Sequence, residues 1–391
     1  MVEMIGAAAP PNIPDWYIEA FVFMLGSIVG SFLNVCIYRL PLEESIIHPG
    51  SHCCGCGARI PFYHNIPLVS YVVLKGRAKC CGAPIAFRYW LVELLTASIF
   101  LGAWIAFPPA VAACYLVFTS LLTIATFTDL EHYIIPNEIT WGSVGAGLVL
   151  SALVPALHPS TSEYLKSIKY HVSPHIVSLG ISLTGALTAY LVLWAVVELG
   201  KIVFGKKKTR FDEPVEITAD AEGISTASET LKWDDIFSRP TDQLQFSGKN
   251  ISLKFMPAAA GKRGKSWEDS SVAISYEELI VGEEKFSLSE VHSLTATCQE
   301  LVIPREAMGF GDVKFLAGIG AFLGPGSIFF VILVSSLMGS CVGLTLLAIG
   351  KRQWGGKLPY GPYLAVAAVI WMFFGNDVID WYKGMMGENL S

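Results

Sequence analysis

The chain has 391 residues, of which 53% are hydrophobic and only 15% charged, and its formal net charge is −6. Soluble globular chains are nearer a quarter charged, so this composition, with a mean hydropathy of +0.51, belongs to a protein solvated largely by lipid. The basic residues sit in loops beside apolar runs rather than on one face, which excludes nucleic acid as a partner.

A helix needs about 20 apolar residues to cross the hydrocarbon core. The first such run, 16–38, is interrupted only by Glu19 and closes the segment 1–40. It lacks a basic leading stretch, and Arg39 follows it, so it reads as a retained anchor rather than a cleaved signal. Segment 41–88 is a polar loop holding five of the nine cysteines: Cys53, Cys54, Cys56, Cys80 and Cys81. Such a cluster is either a disulfide staple or a metal site, and the compartment decides which. Four more spans fill 89–204, at 89–107, 109–127, 141–157 and 176–204. The last three lie within 305–391, at 313–323, 327–349 and 360–374, the first of them short and glycine-rich. The expected fold is therefore a polytopic α-helical membrane protein of about eight transmembrane helices.

Basic residues mark the cytoplasmic side. Loop 41–88 carries Arg59, Lys75, Arg77, Lys79 and Arg88; Lys201 and the run from Lys206 to Arg210 follow the fifth span; Lys351, Arg352 and Lys357 follow the seventh. The opposite loops are poorer, so the N- and C-termini are expected outside and the cysteine loop inside. Segment 205–304 is polar. Within it 245–255 and 272–281 alternate as half-buried strands do, and Gly248-Lys249-Asn250 and Gly282-Glu283-Glu284 are turn candidates. The expectation is a small β-rich cytoplasmic insertion that docks partners or regulates, after a disordered lead-in of about 25 residues.

Two carboxylates stand at one predicted membrane edge. Asp129 ends the apolar run 116–128 in Thr128-Asp129-Leu130-Glu131-His132, with Ile135-Pro136-Asn137 beyond it; Asp312 sits in Gly309-Phe310-Gly311-Asp312-Val313-Lys314. Ionisable groups at that depth are functional candidates. Two carboxyls brought close cannot both ionise, which suits hydrolysis: one takes a proton from water while the other polarises the scissile carbonyl. The flanking Gly309 and Gly311 let a substrate backbone approach. A cap is the alternative for Asp312, which opens a helix. Asp129 ends one, where the dipole disfavours it. Glu93 and Glu198, in or near spans, read as structural.

These segments resemble the type IV prepilin peptidases, the leader peptidase/N-methyltransferases. Gly30-Ser31-Phe32-Leu33-Asn34-Val35 with Arg39-Leu40-Pro41, Asn65-Ile66-Pro67-Leu68-Val69-Ser70-Tyr71, and Arg88-Tyr89-Trp90-Leu91-Val92-Glu93 look like that family's first helix and loop. The Asp129 segment, the G-x-G-D segment at Asp312 and Gly361-Pro362-Tyr363-Leu364-Ala365 look like its later motifs. The likeness covers nearly all of the chain except 205–304. It implies an inner-membrane aspartic endopeptidase with Asp129 and Asp312 as catalytic pair. Prepilin and pseudopilin leaders would be cut at the cytoplasmic face, and the new N-terminus methylated with S-adenosylmethionine. It also implies membrane lipid as surroundings and pilus or secretion assembly proteins as partners, the latter through the insertion.

In a cytoplasmic loop a metal is favoured over a disulfide. Cys53 and Cys56 form a C-x-x-C knuckle suited to tetrahedral zinc. The family pattern has a second C-x-x-C, but here that stretch reads Ala78-Lys79-Cys80-Cys81, without its first cysteine. The expected zinc ligands are Cys53, Cys56 and Cys81, with the fourth open among Cys80, Cys54 and His64; a loop that has lost its metal is the alternative. The rival functional reading is a proton-coupled transporter relaying through the two aspartates. It would call for paired repeats with broken helices at the midplane, which the sequence does not show.

Overall fold

The computed structural model describes residues 14–162, 172–204, 206–220, 223–226, 230–237, 242–256, 264–304, 309–350 and 358–385. The chain divides into two compact units, Met1–Leu193 with Phe310–Ser391, and Trp194–Gly309.

The first unit is helical. Its long helices are α1 (Asp15–Arg39), α3 (Phe87–Ala106), α4 (Pro109–His132), α5 (Asn137–Leu153), α6 (Pro174–Phe204, which runs on into the second unit), α8 (Phe310–Leu323), α9 (Ile328–Ala348) and α10 (Gly361–Met385). A five-residue helix α2 (Val69–Val73) lies in the loop after α1. Proline starts several helices because its missing N–H is not needed there: Pro109 opens α4 and Pro174 opens α6. Small residues let backbones meet. A Cβ on Gly26 would fall 2.7 Å from Ala97 Cα, and one on Gly30 2.8 Å from Glu93 Cα, so α1 and α3 pack backbone to backbone. Asn34 adds a hydrogen bond from its amide to Tyr89 O at 3.0 Å.

Six helical stretches among the described residues are long and apolar enough to cross a membrane. This is the architecture of a polytopic helical membrane protein. The other two of the eight expected spans are helices, but short. α5 has 17 residues and α8 has 14, about 25 and 21 Å at 1.5 Å per residue, against a hydrocarbon core of about 30 Å. The reason is packing. From Phe315 to Phe322 every α8 residue is buried; Gly147 of α5 lies against Ala321, and Gly185 of α6 faces Gly320 with no room for side chains between them. α8 is enclosed by protein, so its apolar run serves packing against its neighbours.

The second unit holds one eight-stranded antiparallel sheet of order β3-β2-β1-β8-β4-β5-β6-β7. The strands are β1 (Lys206–Ala219), β2 (Gly223–Ser225), β3 (Thr230–Lys232), β4 (Leu244–Phe255), β5 (Lys265–Ile274), β6 (Glu278–Val281), β7 (Glu284–Ser287) and β8 (Val291–Pro304), with the one-turn helix α7 (Trp233–Ile236) between β3 and β4. Leu244, Phe246, Ile251 and Leu253 of β4 join Val272, Ile274 and Leu294 in one core.

Three local expectations need correction. The disordered lead-in is instead β1, which begins at Lys206 and pairs with β8 from Lys206↔Pro304 to Ala219↔Leu294; long-range pairing overrides the local polar pattern and the interruption at Pro214, where the register shifts. Gly248-Lys249-Asn250 is no turn but an irregularity within β4, with Asn250 at φ 52. It shifts the inward face from Leu244 and Phe246 to Ile251 and Leu253. The run 272–281 is two strands with a bend at 275–277, not one. Gly282 does make a turn, at φ 61, where Val281 pairs Glu284.

First and last strands of this unit are partners, so it closes on itself. Residues 206–304 expressed alone should therefore unfold in a single cooperative transition. A broad, non-cooperative melt would show that the sheet depends on the helices.

Candidate active site

α4 carries a buried acidic residue into its last turn. Asp129 is 6% exposed and stands four residues before the left-handed cap Tyr133 (φ 57), whose N–H donates to Asp129 O at 3.0 Å. The dipole of α4 itself opposes a negative charge there. The N-terminus of α10 compensates: the Gly361 N–H donates to Asp129 Oδ2 at 2.8 Å. A Cβ on Gly361 would sit 2.9 Å from that oxygen, so only glycine lets the two meet.

Asp312, in the first turn of α8, is 8% exposed. It lies within electrostatic reach of Asp129, and its buried Oδ1 accepts no hydrogen bond among the described residues. The two expected carboxylates are thus brought near each other from positions 183 residues apart in the chain. Gly311 packs beside Ile135, whose Cβ lies 3.7 Å from where a Gly311 Cβ would be. Gly309 is exposed just before α8.

Three contacts around the pair had no assigned role in the sequence. Ile135 also packs against Gly361, 3.2 Å from its would-be Cβ. Lys314 Nζ donates to Asn137 Oδ1 at 2.8 Å and lies over the rings of Trp141 and Phe310, which joins the start of α8 to the start of α5. Arg88, at the start of α3, forms an ion pair with Glu131 beside Asp129. That pair puts the cysteine loop and the aspartates at one face of the helical unit. In the sequence the residues of these contacts, Trp141 apart, stood within the motif segments, with nothing to say which of them would meet.

The loop itself is a pair of similar knuckles. In the first, Cys53 N donates to Ala58 O and Gly57 N to Cys53 O; in the second, Ala78 N donates to Ala83 O and Gly82 N to Ala78 O. Gly57 and Gly82 share a left-handed φ of 71 and 72. Ala78 therefore occupies the place of Cys53, and Cys81 that of Cys56. Cys80, at the place of Gly55, brings a fourth thiol. The sulfurs of Cys53, Cys56, Cys80 and Cys81 all lie within 4.8 Å of one another, with Cys53 to Cys81 at 3.6 Å and Cys56 to Cys80 at 3.4 Å. Tetrahedral zinc with bonds of about 2.3 Å calls for sulfurs roughly 3.8 Å apart, so the donor set fits a metal ion. The amides of Gly55 and Cys56 hold the Cys53 thiol down at about 6, while hydrogen bonding with Cys56 pushes Cys80 up to about 12. Cys54 and His64 lie outside this cluster, and Cys54 lies against Tyr89 instead.

Residues 24–107 match the Bacterial Peptidase A24 N-terminal domain, and residues 116–207 and 286–344 match the Type IV leader peptidase family. A prepilin leader peptidase/N-methyltransferase of Klebsiella pneumoniae is 33% identical over 195 residues, covering 48% of this chain and 77% of that protein. The chain belongs to the type IV leader peptidase family. Proteins of the same name from Aeromonas hydrophila and Myxococcus xanthus (strain DK1622) are also similar. The first is 25% identical over 392 residues, 94% of each chain. The second is 46% identical over 149 residues, 36% of this chain and 43% of that one. No solved structure matches. The stretch between the two family-matched segments, 208–285, falls within the β-sheet unit.

If the four thiols hold zinc, purified protein should carry about one zinc per chain. C80S and C81S should lose most of it, and C54S should keep it. Because the ligands are thiolates, metal should be retained at neutral pH and released as acid reprotonates them. Metal analysis across pH checks both points; equal zinc in C80S and wild type would remove Cys80 from the site.

Proposed function

We propose that this chain is a membrane-embedded aspartic endopeptidase. It cleaves the leader peptides of type IV prepilins and pseudopilins at the cytoplasmic face of the bacterial inner membrane. The observation that carries the reading is the approach of Asp129 and Asp312, both buried and within electrostatic reach of each other, at the ends of α4 and α8. The printed activity of the chain's relatives supports it.

In this reading the scissile peptide lies against the backbone at Gly309, which is exposed, and Gly311. One carboxylate takes a proton from the attacking water. The other, protonated, donates to the carbonyl oxygen as the tetrahedral intermediate forms, and the proton then passes to the leaving amine. The Gly361 N–H keeps Asp129 aimed. Burial excludes bulk water and strengthens each of these interactions. The four-cysteine site would hold structural zinc, which cross-links the two knuckles and takes no part in the chemistry. The name of the relatives includes N-methyltransferase. Transfer of a methyl group from S-adenosylmethionine to the new N-terminus is proposed on that ground, but the chain has no G-x-G-x-x-G loop and no residue is assigned to the donor.

The pairing predicts that D129N and D312N, each inserted normally, lose cleavage of a prepilin peptide in detergent by at least ~100-fold, the scale of a lost general acid or base. Near-normal cleavage by either variant would exclude it.

The β-sheet unit is proposed as a separable cytoplasmic module outside the active site, suited to docking pilus or secretion assembly proteins. Arg210 pairs with Glu300 across β1 and β8, so a short Gly/Ser linker spans the gap left by removing 212–300. Loop-closure cost grows slowly with length. The deletion variant should cut a peptide within about threefold of wild type; a variant that inserts but cannot cut would place the module in the catalytic machinery.

A further inference from the structure

The loop between α1 and α3 contains a segment whose backbone is arranged as if water were absent. From Ile66 to Ser70 each backbone N–H has a partner within the protein. Ile66 N donates to Ser70 Oγ at 2.9 Å, Val69 N to Pro67 O at 2.6 Å, and Ser70 N to Ile66 O at 3.0 Å. Pro67 has none to satisfy. Leu68 N reaches out of the segment to Glu93 Oε2, at 2.7 Å. Leu68 itself is held at φ 62, ψ −48, a γ-turn of the rarer and more strained hand. Internal pairing of backbone N–H groups is part of what the hydrocarbon region of a bilayer demands of non-helical backbone.

Glu93 fixes the depth. It is buried six residues into α3, which begins at Phe87, so it lies about 9 Å along the helix from its start. The Leu68 hydrogen bond draws the segment down to that level. Tyr71 of α2 meets Phe87 and Trp90, with centroids 6.3 and 6.4 Å away, an aromatic group of the kind found where a span meets the interface. The outward side is apolar: Val72 is 64% exposed and Val73 71%, with Ile66 and Val69 also exposed. Immediately beyond it Lys75, Arg77 and Lys79 are exposed, placed to reach lipid phosphates from long apolar stems.

We infer that residues 66–74 form a re-entrant segment seated in the bilayer leaflet on the Asp129 side, among acyl chains and anionic headgroups, with Glu93 as its anchor. Two features favour lipid over the helix of a substrate as occupant. The surface continues the outer face of a membrane span, and its charged fringe matches anionic headgroups.

The test uses the full chain in nanodiscs of phosphatidylethanolamine and phosphatidylglycerol, with p-benzoylphenylalanine in place of Val72 or Val73. The same probe at Phe329, exposed on α9, and at Tyr276, exposed on the β-sheet unit, serves as positive and negative control. After irradiation, intact mass should show lipid adducts at Val72 and Val73 within about twofold of Phe329, and well above Tyr276. E93Q keeps an acceptor and should label like wild type. E93L should lose at least about fivefold at Val72 while Phe329 labels unchanged, because Leu68 N–H is left unpaired. Adducts at the Tyr276 level, adducts to an added prepilin peptide in place of lipid, or full labelling in E93L would each overturn the inference. The readout needs no cleavage, so it stands or falls apart from the peptidase reading.

Discussion

One hydrogen bond organises the helical unit: the Gly361 N–H on the carboxylate of Asp129. A buried acid at the carboxyl end of α4 is opposed by that helix's dipole and by the loss of water. Turning the amino end of α10 onto it offsets both. This requires a residue without a side chain at Gly361, a left-handed cap at Tyr133 to end α4, and Ile135 wedged between Gly361 and Gly311. Asp312 then enters on a helix so closely packed that eight consecutive residues are buried. Protein packs around α8 on all sides of that stretch, which fixes where its acid stands.

The same economy ties the loop to the helices. Glu93 accepts from Leu68, Arg88 pairs with Glu131, and Arg39 donates to Ser45 O and Pro49 O at 2.8 and 2.7 Å. Each link starts on a helix at the face that holds Asp129 and ends in the loop or in the next helix. The two cysteine knuckles close the far part of the loop on themselves. Ala78 stands in the second knuckle where Cys53 stands in the first, and Cys80 places its sulfur with those of Cys53, Cys56 and Cys81.

Much of this was legible in the sequence. Long apolar runs gave the membrane helices, and the residues around Asp129, Asp312 and Gly361 marked places that the fold does bring together. What could not be read was anything set by packing between distant segments. The run 313–323 reads as apolar, but its composition does not show that Gly318 and Gly320 are there to meet α5 and α6. Lys206 to Arg210 looks like a solvated basic tail, yet it is a strand because β8 lies beside it. Gly248-Lys249-Asn250 has turn composition but spends it on a shift within β4. The fourth ligand was open among Cys80, Cys54 and His64; only the fold places the Cys80 sulfur with the other three, and Cys54 and His64 outside the group.

The central claim is that two carboxyl groups sharing the work of acid and base carry out the cleavage. The most direct measurement is the pH dependence of kcat/KM for a prepilin peptide with the purified full-length protein in detergent. A pair that must hold one proton between its members loses activity when both are protonated and again when both are ionised. The account therefore predicts a bell-shaped profile that falls on both the acid and the alkaline side. A rate that climbs to a plateau and stays there at alkaline pH would contradict it, because a single base with no acid partner would then suffice.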